Sequence, residues 1–320
     1  MENRLLPINA LLGVLMPGDV TPAALADAGF QLAGLEVPAG GPGGSVTVDA
    51  VLFHPATSHL VAVEAKSGAN VDERQARAYA QLRPADVVQS AYVTLPRRSP
   101  PTLEIVYLCL DHHVDRIRLG LNALGLPFPI IGVSDRRIRL VSVGVVGRQL
   151  RDAFVDECIV LQGQPARLMP FDQDSDVEVI KPRVLAALVS AMARSVRELT
   201  MTGLAEQATP HYPLFSRKAQ TAIRKKVQQA ARSIAEDDPR TFEVVPTTNA
   251  REGLIRIKRT PEDNDPRGRT QAYQAVGRSR TARRRRRRPE VVGQMDLLSM
   301  LDTGDNDSTG EAGSGQEGAR

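Results

Sequence analysis

Apolar residues dominate two neighbouring segments of the chain, 46–53 and 60–66, which are separated by a turn containing Pro55, Thr57 and Ser58. Successive side chains of a β-strand point to opposite faces, so every second residue of each segment would lie on the same side of a strand. The two segments therefore predict an antiparallel hairpin. Around it, the predicted elements are a helix at 21–28, a strand at 31–37, a helix at 72–83, a strand at 103–110, a helix at 113–124, and strands at 128–133 and 137–143.

The pattern changes after residue 170. Helical periodicity returns over 182–199 and 216–235, and two short apolar runs, 241–245 and 253–259, surround a turn that predicts a second hairpin. From residue 261 the chain is polar and rich in Gly, Arg and Asp, which predicts disorder. We therefore predict an α/β domain with a mixed sheet flanked by helices at 1–170, a small basic α+β domain compatible with a winged-helix module at 171–260, and a disordered tail at 261–320.

Composition limits the classes of protein to which the chain can belong. It has 320 residues, of which 42% are hydrophobic and 24% charged, and this balance suits a soluble protein of about two domains. No segment has the pattern of a membrane span or a secretion signal. Cys109 and Cys158 both lie in apolar surroundings, which disfavours a disulfide framework, a zinc ribbon or an iron–sulfur cluster. We expect a cytoplasmic protein without a membrane partner.

Positive charge is concentrated in one part of the chain. The net charge is only +4, but residues 216–288 carry 21 Lys or Arg against 8 Asp or Glu, so the remainder is net acidic. Such a segment is expected to meet a polyanion, and we predict DNA as the partner. The predicted DNA-binding residues are Arg224, Lys225, Gln228 and Gln229 on the helix 216–235, and Arg283, Arg284, Arg285, Arg286, Arg287 and Arg288 in the tail. A solvated basic helix and a solubilising tail are the alternatives.

Three charges interrupt the apolar hairpin, namely Asp49, Glu64 and Lys66. Antiparallel pairing brings two carboxylates and one ammonium group together near one edge of the predicted sheet. Charges removed from water are costly unless they are paired or bind a metal. The spacing alone is compatible with either a buried salt bridge or a metal site.

An acid on one strand, fourteen intervening residues and then Glu-Ala-Lys on the next strand resembles the PD-(D/E)XK nuclease superfamily, which has the restriction-endonuclease-like fold. The resemblance implies that Asp49, Glu64 and the backbone carbonyl of Ala65 bind Mg²⁺ or Mn²⁺. It also implies that Lys66 orients or activates the attacking water. One departure is that Val48 precedes Asp49, where the superfamily often has Pro.

The resemblance extends into the next predicted helix. Gln75 and Tyr79 match the Q-x-x-x-Y feature of RecB-like members, and their i, i+4 spacing places them on one helical face. We add both residues to the catalytic set. Glu36, on the first predicted strand, is either an additional acidic metal ligand or a solvated strand end.

The resemblance implies a metal-dependent DNA endonuclease that acts in DNA repair, defence or mobile-element processing. The alternatives are a catalytically inactive nuclease-like subunit for DNA binding or assembly, and a nuclease that is silent without its partner. A homodimer is left open. Asp111, His112 and His113 superficially resemble the DHH phosphoesterase signature, but we interpret them as a turn between a strand and a helix.

A short apolar segment lies within the polar tail. Its sequence resembles the pentapeptide by which bacterial replication and repair proteins bind the DNA sliding clamp, and the predicted partner-binding residues are Gln294, Met295, Asp296, Leu297 and Leu298. Exposed apolar residues in a disordered tail favour a partner. The alternative is a short helix that packs back onto the protein.

Overall fold

The structure is a computed structural model that describes residues 4–16, 22–95, 100–141, 146–154, 157–163, 168–245 and 253–258. Its helices are α1 (Leu5–Leu15), α2 (Ala24–Asp27), α3 (Glu73–Ala80), α4 (Pro84–Ala91), α5 (Val114–Ala123), α6 (Arg148–Asp152), α7 (Val177–Ala193), α8 (Met201–Ala208) and α9 (Arg217–Asp237). Its strands are β1 (Gln31–Gly41), β2 (Gly44–His54), β3 (His59–Ala65), β4 (Thr102–Leu110), β5 (Ile130–Val133), β6 (Arg137–Val141), β7 (Cys158–Val160), β8 (Glu198–Thr200), β9 (Phe242–Val245) and β10 (Leu254–Ile257).

The larger sheet contains seven strands within the described residues, and their spatial order follows the chain from β1 to β7. Strands β3, β4 and β5 are parallel, and the other neighbours are antiparallel. All seven residues of β3 are buried, as expected for a central strand covered on both faces. Helices α3 and α4 connect β3 to β4, and α5 connects β4 to β5. The predicted α/β class with a mixed sheet flanked by helices is confirmed.

Several boundaries differ from the prediction, and Pro explains two of the differences. The helix predicted at 72–83 ends at Ala80, and a separate helix, α4, begins at Pro84, because Pro is tolerated at the first helical position. Pro182, predicted to start a helix, lies inside α7, which begins at Val177. The final residues of the predicted helix 182–199 enter β8 instead. Helices α1, α6 and α8 and strand β7 were not predicted.

A second sheet contains three strands among the described residues, in the order β8-β10-β9. The hairpin predicted after the basic helix is confirmed, because β9 and β10 pair antiparallel from Phe242↔Ile257 to Val245↔Leu254. Helices α7, α8 and α9 pack together beside this sheet. The described residues all belong to one compact unit, and the division into domains at 1–170 and 171–260 stays a prediction.

None of the described helices is both long and apolar enough to cross a bilayer. The predicted disordered tail, 261–320, lies outside the described residues.

Candidate active site

The structure brings together the three charges that interrupt the predicted hairpin. Asp49 on β2 and Glu64 on β3 are both about 4% exposed, and Lys66 directly follows β3. The Asp49 carboxylate accepts a hydrogen bond from the backbone N–H of Ala65, with a distance of 2.6 Å between Oδ2 and N. Asp49 is therefore hydrogen-bonded to the residue that lies between Glu64 and Lys66 in the chain.

Glu64 is the centre of a hydrogen-bonded network that includes both predicted motifs. Its Oε1 lies 2.8 Å from Nζ of Lys66, and its Oε2 lies 2.6 Å from the hydroxyl of the fully buried Tyr79. Lys66 also donates to Oε1 of Gln75 at 2.7 Å. Asp72 caps the N-terminus of α3 by accepting from the backbone N–H of Gln75, so the helix presents Gln75 and Tyr79 to the acids.

Glu36 lies within β1 with a φ of 51° and is only 3% exposed. The alternative of a solvated strand end is therefore wrong. A left-handed conformation is uncommon for a residue other than Gly, and such strain persists where the surrounding structure enforces it. Here the carboxylate is held on both oxygens, because Oε1 accepts from Arg4 at 2.7 Å and Oε2 accepts from Gln173 at 2.8 Å.

Arg4 lies at the centre of this cluster and was missed by the sequence analysis. Its guanidinium donates to Asp49 Oδ1 at 2.9 Å, in addition to Glu36. Two more carboxylates complete its surroundings, with Asp172 Oδ2 at 2.9 Å and Asp174 Oδ2 at 2.8 Å from Nη2. Two acidic residues close together, Asp172 and Asp174, follow the predicted domain 1–170, and this acidic run could have drawn attention to them. Nothing in the sequence distinguishes Arg4 from other arginines.

The acids differ in their electrostatic environment. Burial raises the pKa of Glu36 to about 7, although Arg4 opposes this shift. Burial and the nearby Glu64 carboxylate hold the pKa of Asp49 well above its usual range. For Asp172, burial acts in the same direction, but Arg4 and hydrogen bonds outweigh it, so its pKa is lowered. Burial works against the charge of Arg4, and the surrounding carboxylates nevertheless raise its pKa.

An open cavity of about 440 Å³ is lined by members of this cluster, namely Arg4, Glu36, Asp49, Glu64, Gln75 and Gln173. The turn between β1 and β2 forms one wall and α3 forms another. At this wall the two main chains are close, since a Cβ built on Gly43 would lie 3.1 Å from Cα of Ala78 and 2.8 Å from Oε1 of Gln81. Arg74, an exposed cation on α3 that the sequence analysis also missed, lines the same cavity.

The chemistry of the side chains fits a divalent cation. Carboxylate and carbonyl oxygens are the ligands that Mg²⁺ prefers, and Asp49, Glu64 and Ala65 provide them. When ionised, the carboxylates of Glu36, Asp49, Glu64, Asp172 and Asp174 outnumber the charges of Arg4 and Lys66 by three. In the part of the chain that the structure describes, however, no three His, Cys, Asp or Glu side chains are arranged around one point as metal ligands. The acids surround the guanidinium of Arg4 instead.

The predicted DNA-binding residues of α9 are not equally accessible. Lys225 and Gln229 are exposed, whereas Arg224 and Gln228 are half-buried, and Gln228 packs near Gly253. The predicted tail residues, Arg283–Arg288 and Gln294–Leu298, lie outside the described residues.

Asp111–His113 form a 3-10 turn between β4 and α5, as predicted, and Asp111 pairs with Arg139. Cys109 and Cys158 are both free thiols.

Comparisons of the chain with protein-family models, with curated proteins and with solved structures found no match.

Proposed function

We propose that the protein is a metal-dependent DNA endonuclease with a restriction-endonuclease-like fold. The observation that carries the proposal is that Asp49 and Glu64 line one cavity, and that Lys66 pairs with Glu64 at 2.8 Å. A buried salt bridge alone would not require the second buried acid beside it. Nor would it require the additional negative charge around the cavity.

Asp49, Glu64 and the carbonyl of Ala65 would hold Mg²⁺ or Mn²⁺. When bound, the ion supplies positive charge to the phosphate oxygens and acidifies a water molecule. Glu36 accepts from Nη2 of Arg4, whereas Asp49 accepts from Nη1, and Glu36 is a further acidic group that lines the cavity.

The remaining residues position these groups. Gln75 and Glu64 together hold the ammonium group of Lys66, which orients the attacking water. Tyr79 fixes the second oxygen of Glu64. A network in which each polar group has a partner keeps its geometry without reorganisation during the reaction.

The second part of the chain would bind the DNA. Its elements follow the order α7-β8-α8-α9-β9-β10 with the strand order β8-β10-β9, an arrangement that is similar to a winged-helix module. In this interpretation α9 is the recognition helix. It exposes Lys218, Lys225 and Arg232 at intervals of seven residues, and this spacing places the three cations along one side of the helix. Those cations would contact phosphates.

A plasmid-nicking assay with Mg²⁺ or Mn²⁺ tests the proposal. We expect Asp49→Asn, Glu64→Gln and Lys66→Ala each to abolish nicking, because each removes a charge at the cavity. The Asn and Gln changes also leave the side-chain shape nearly unchanged. Asp115→Asn is the matched control, since this carboxylate is 77% exposed and pairs with Arg118 on α5. Nicking that survives Asp49→Asn at the wild-type rate would reject the site.

A catalytically inactive DNA-binding or assembly subunit with the same fold is the second candidate. One observation favours it, namely that the carboxylates surround a guanidinium group. In that case the wild-type protein binds DNA but does not nick it under any metal condition. The same assay therefore separates the two candidates.

A further inference from the structure

We propose that Arg4 is a positioning residue that competes with the divalent cation for the same carboxylates and thereby sets the metal affinity of the site. The inference rests on the proposed metal site, and it concerns how that site is occupied before the ion binds. The protein supplies a cation of its own among the acids, the guanidinium group of Arg4.

The carboxylate of Asp49 shows why both cations cannot bind it freely. Oδ2 already accepts the backbone N–H of Ala65, and Oδ1 accepts Nη1 of Arg4. A metal ion bound by Asp49 and Glu64 would lie within a few ångströms of the guanidinium group. At such distances two cations repel strongly, because the buried surroundings screen them less than water does.

Helix α1 fixes the backbone that delivers Arg4. Ile8, Leu11, Leu12 and Val14 are 0–1% exposed, so the helix is anchored in the core directly after Arg4. The Arg4 side chain itself is 24% exposed. An exchange of cations therefore involves the side chain, which is long and reaches solvent, and leaves the helix in place.

The arginine side chain at position 4 interacts favourably with the acids and not with helix α1. Arg4 is the N-cap residue of α1 and makes no side-chain capping hydrogen bond. A positive charge at a helix N-terminus opposes the helix dipole. The four carboxylates around the guanidinium offset that cost. Without Arg4, Lys66, which pairs with Glu64, and Arg74, which lines the cavity, would remain as cations near these carboxylates.

If Arg4 competes with the metal ion, its removal changes the metal affinity in a direction that a purely structural role does not predict. Removing a structural residue weakens metal binding or leaves it unchanged, whereas removing a competitor strengthens it. We expect Arg4→Gln to tighten Mn²⁺ binding about tenfold or more, measured by calorimetric titration of the full chain, since one unit charge is removed a few ångströms from the ion. Without metal, the same variant should unfold at a lower temperature, and saturating Mn²⁺ should restore the wild-type melting temperature.

Two further variants complete the experiment. Arg4→Lys keeps the charge but cannot bridge several carboxylates, so its Mn²⁺ affinity should lie between those of the wild type and Arg4→Gln. This variant also decides the question if Arg4→Gln does not fold. Arg118→Gln is the control, because Arg118 is an exposed arginine paired with Asp115 on α5, and it should bind Mn²⁺ like the wild type.

The outcomes are separable from those of the nicking assay. Arg4 variants that bind Mn²⁺ no more tightly than the wild type would overturn the inference even if the protein nicks DNA. Tighter binding that Asp49→Asn abolishes would support it even if no nicking is found. Absence of Mn²⁺ binding by the wild type and all variants would overturn both the inference and the metal site.

Discussion

Tyr79 shows how one buried hydroxyl orders the candidate site. Its oxygen lies 2.6 Å from Glu64 and 2.9 Å from the carbonyl oxygen of Thr47, so it links α3 to both β3 and β2. Burial, together with Glu64, raises the pKa of this phenol well above its usual value, which keeps it protonated and able to donate. The hydroxyl proton of Tyr79, donated to Oε2 of Glu64, helps to hold this carboxylate with its other oxygen paired to Lys66.

We predict that Tyr79→Phe lowers the unfolding free energy by about 1–3 kcal/mol, because a buried carboxylate loses its donor. The fold should persist, since the ring remains. Nicking should decrease without disappearing, because Asp49, Glu64 and Lys66 are intact. Urea unfolding followed by circular dichroism measures the first effect, and nicking rates measure the second. A variant as stable as the wild type would mean that the hydroxyl is dispensable.

The sequence predicts individual residues of the site where they follow a local pattern. Asp49, Glu64 and Lys66 are charges within apolar segments, and Gln75 and Tyr79 share a helical face, so both signals are local. The sequence does not reveal that Arg4 and Asp172 are partners, because they meet across 168 positions in the chain. The left-handed backbone of Glu36 is equally hidden, since it depends on partners from two distant segments.

At the level of elements, α9 carries the most specific prediction. Changing Lys218, Lys225 and Arg232 to Gln should weaken DNA binding and reduce its salt dependence, by about 0.9 in the slope of log K against log salt for each phosphate that is no longer neutralised. The helix should remain folded, because Gln, Lys and Arg have similar helix propensities. Fluorescence anisotropy with labelled DNA at several salt concentrations measures both quantities.

A matched triple variant controls for the change in net charge. Arg83, Arg118 and Arg148 are exposed, ion-paired arginines on or beside other helices, and changing them to Gln removes the same number of charges. If both triple variants bind DNA with equally reduced affinity, the effect belongs to total charge and not to α9.

The sequence predicts well the helices and strands that have a clear and continuous pattern of apolar residues. The strands around the hairpin and the basic helix have clear periodicity, and they lie within a few residues of the prediction. Short elements such as α6, β7 and β8 have too few residues for a period to show. Pro182 misled the prediction because Pro is more typical of a helix start than of the interior.

For the whole molecule, contacts cross the predicted boundary at residue 170. Asp172 and Asp174 bind Arg4, Gln173 binds Glu36, and the backbone N–H of Ser216 donates to the carbonyl of Leu35 at 2.9 Å. Periodicity along the chain does not report such contacts. It predicts where helices and strands begin and end but not which of them form ion pairs or hydrogen bonds with each other.

We therefore predict that a chain truncated after residue 170 is strongly destabilised. Removal of Asp172, Gln173 and Asp174 leaves Arg4 and Glu36 without these partners in a largely buried cluster, and breaking such a pair costs about 3–5 kcal/mol. Thermal melting followed by circular dichroism should show a much lower midpoint or no cooperative transition. A chain truncated after residue 260 is the control, and it should melt like the full protein. Equal midpoints for both truncations would contradict the prediction.

At Gly43 the turn between β1 and β2 approaches the main chain of α3, and both elements line the cavity. A side chain at this position would press against the main chain of Ala78 and push the turn and the helix apart. The turn joins β1 and β2, which carry Glu36 and Asp49, so a displaced turn would pull on both acids. The packing of the turn against α3 and the spacing of the two acids are therefore coupled through these strands. A substitution at Gly43 that moves the turn would also change the distance between Glu36 and Asp49.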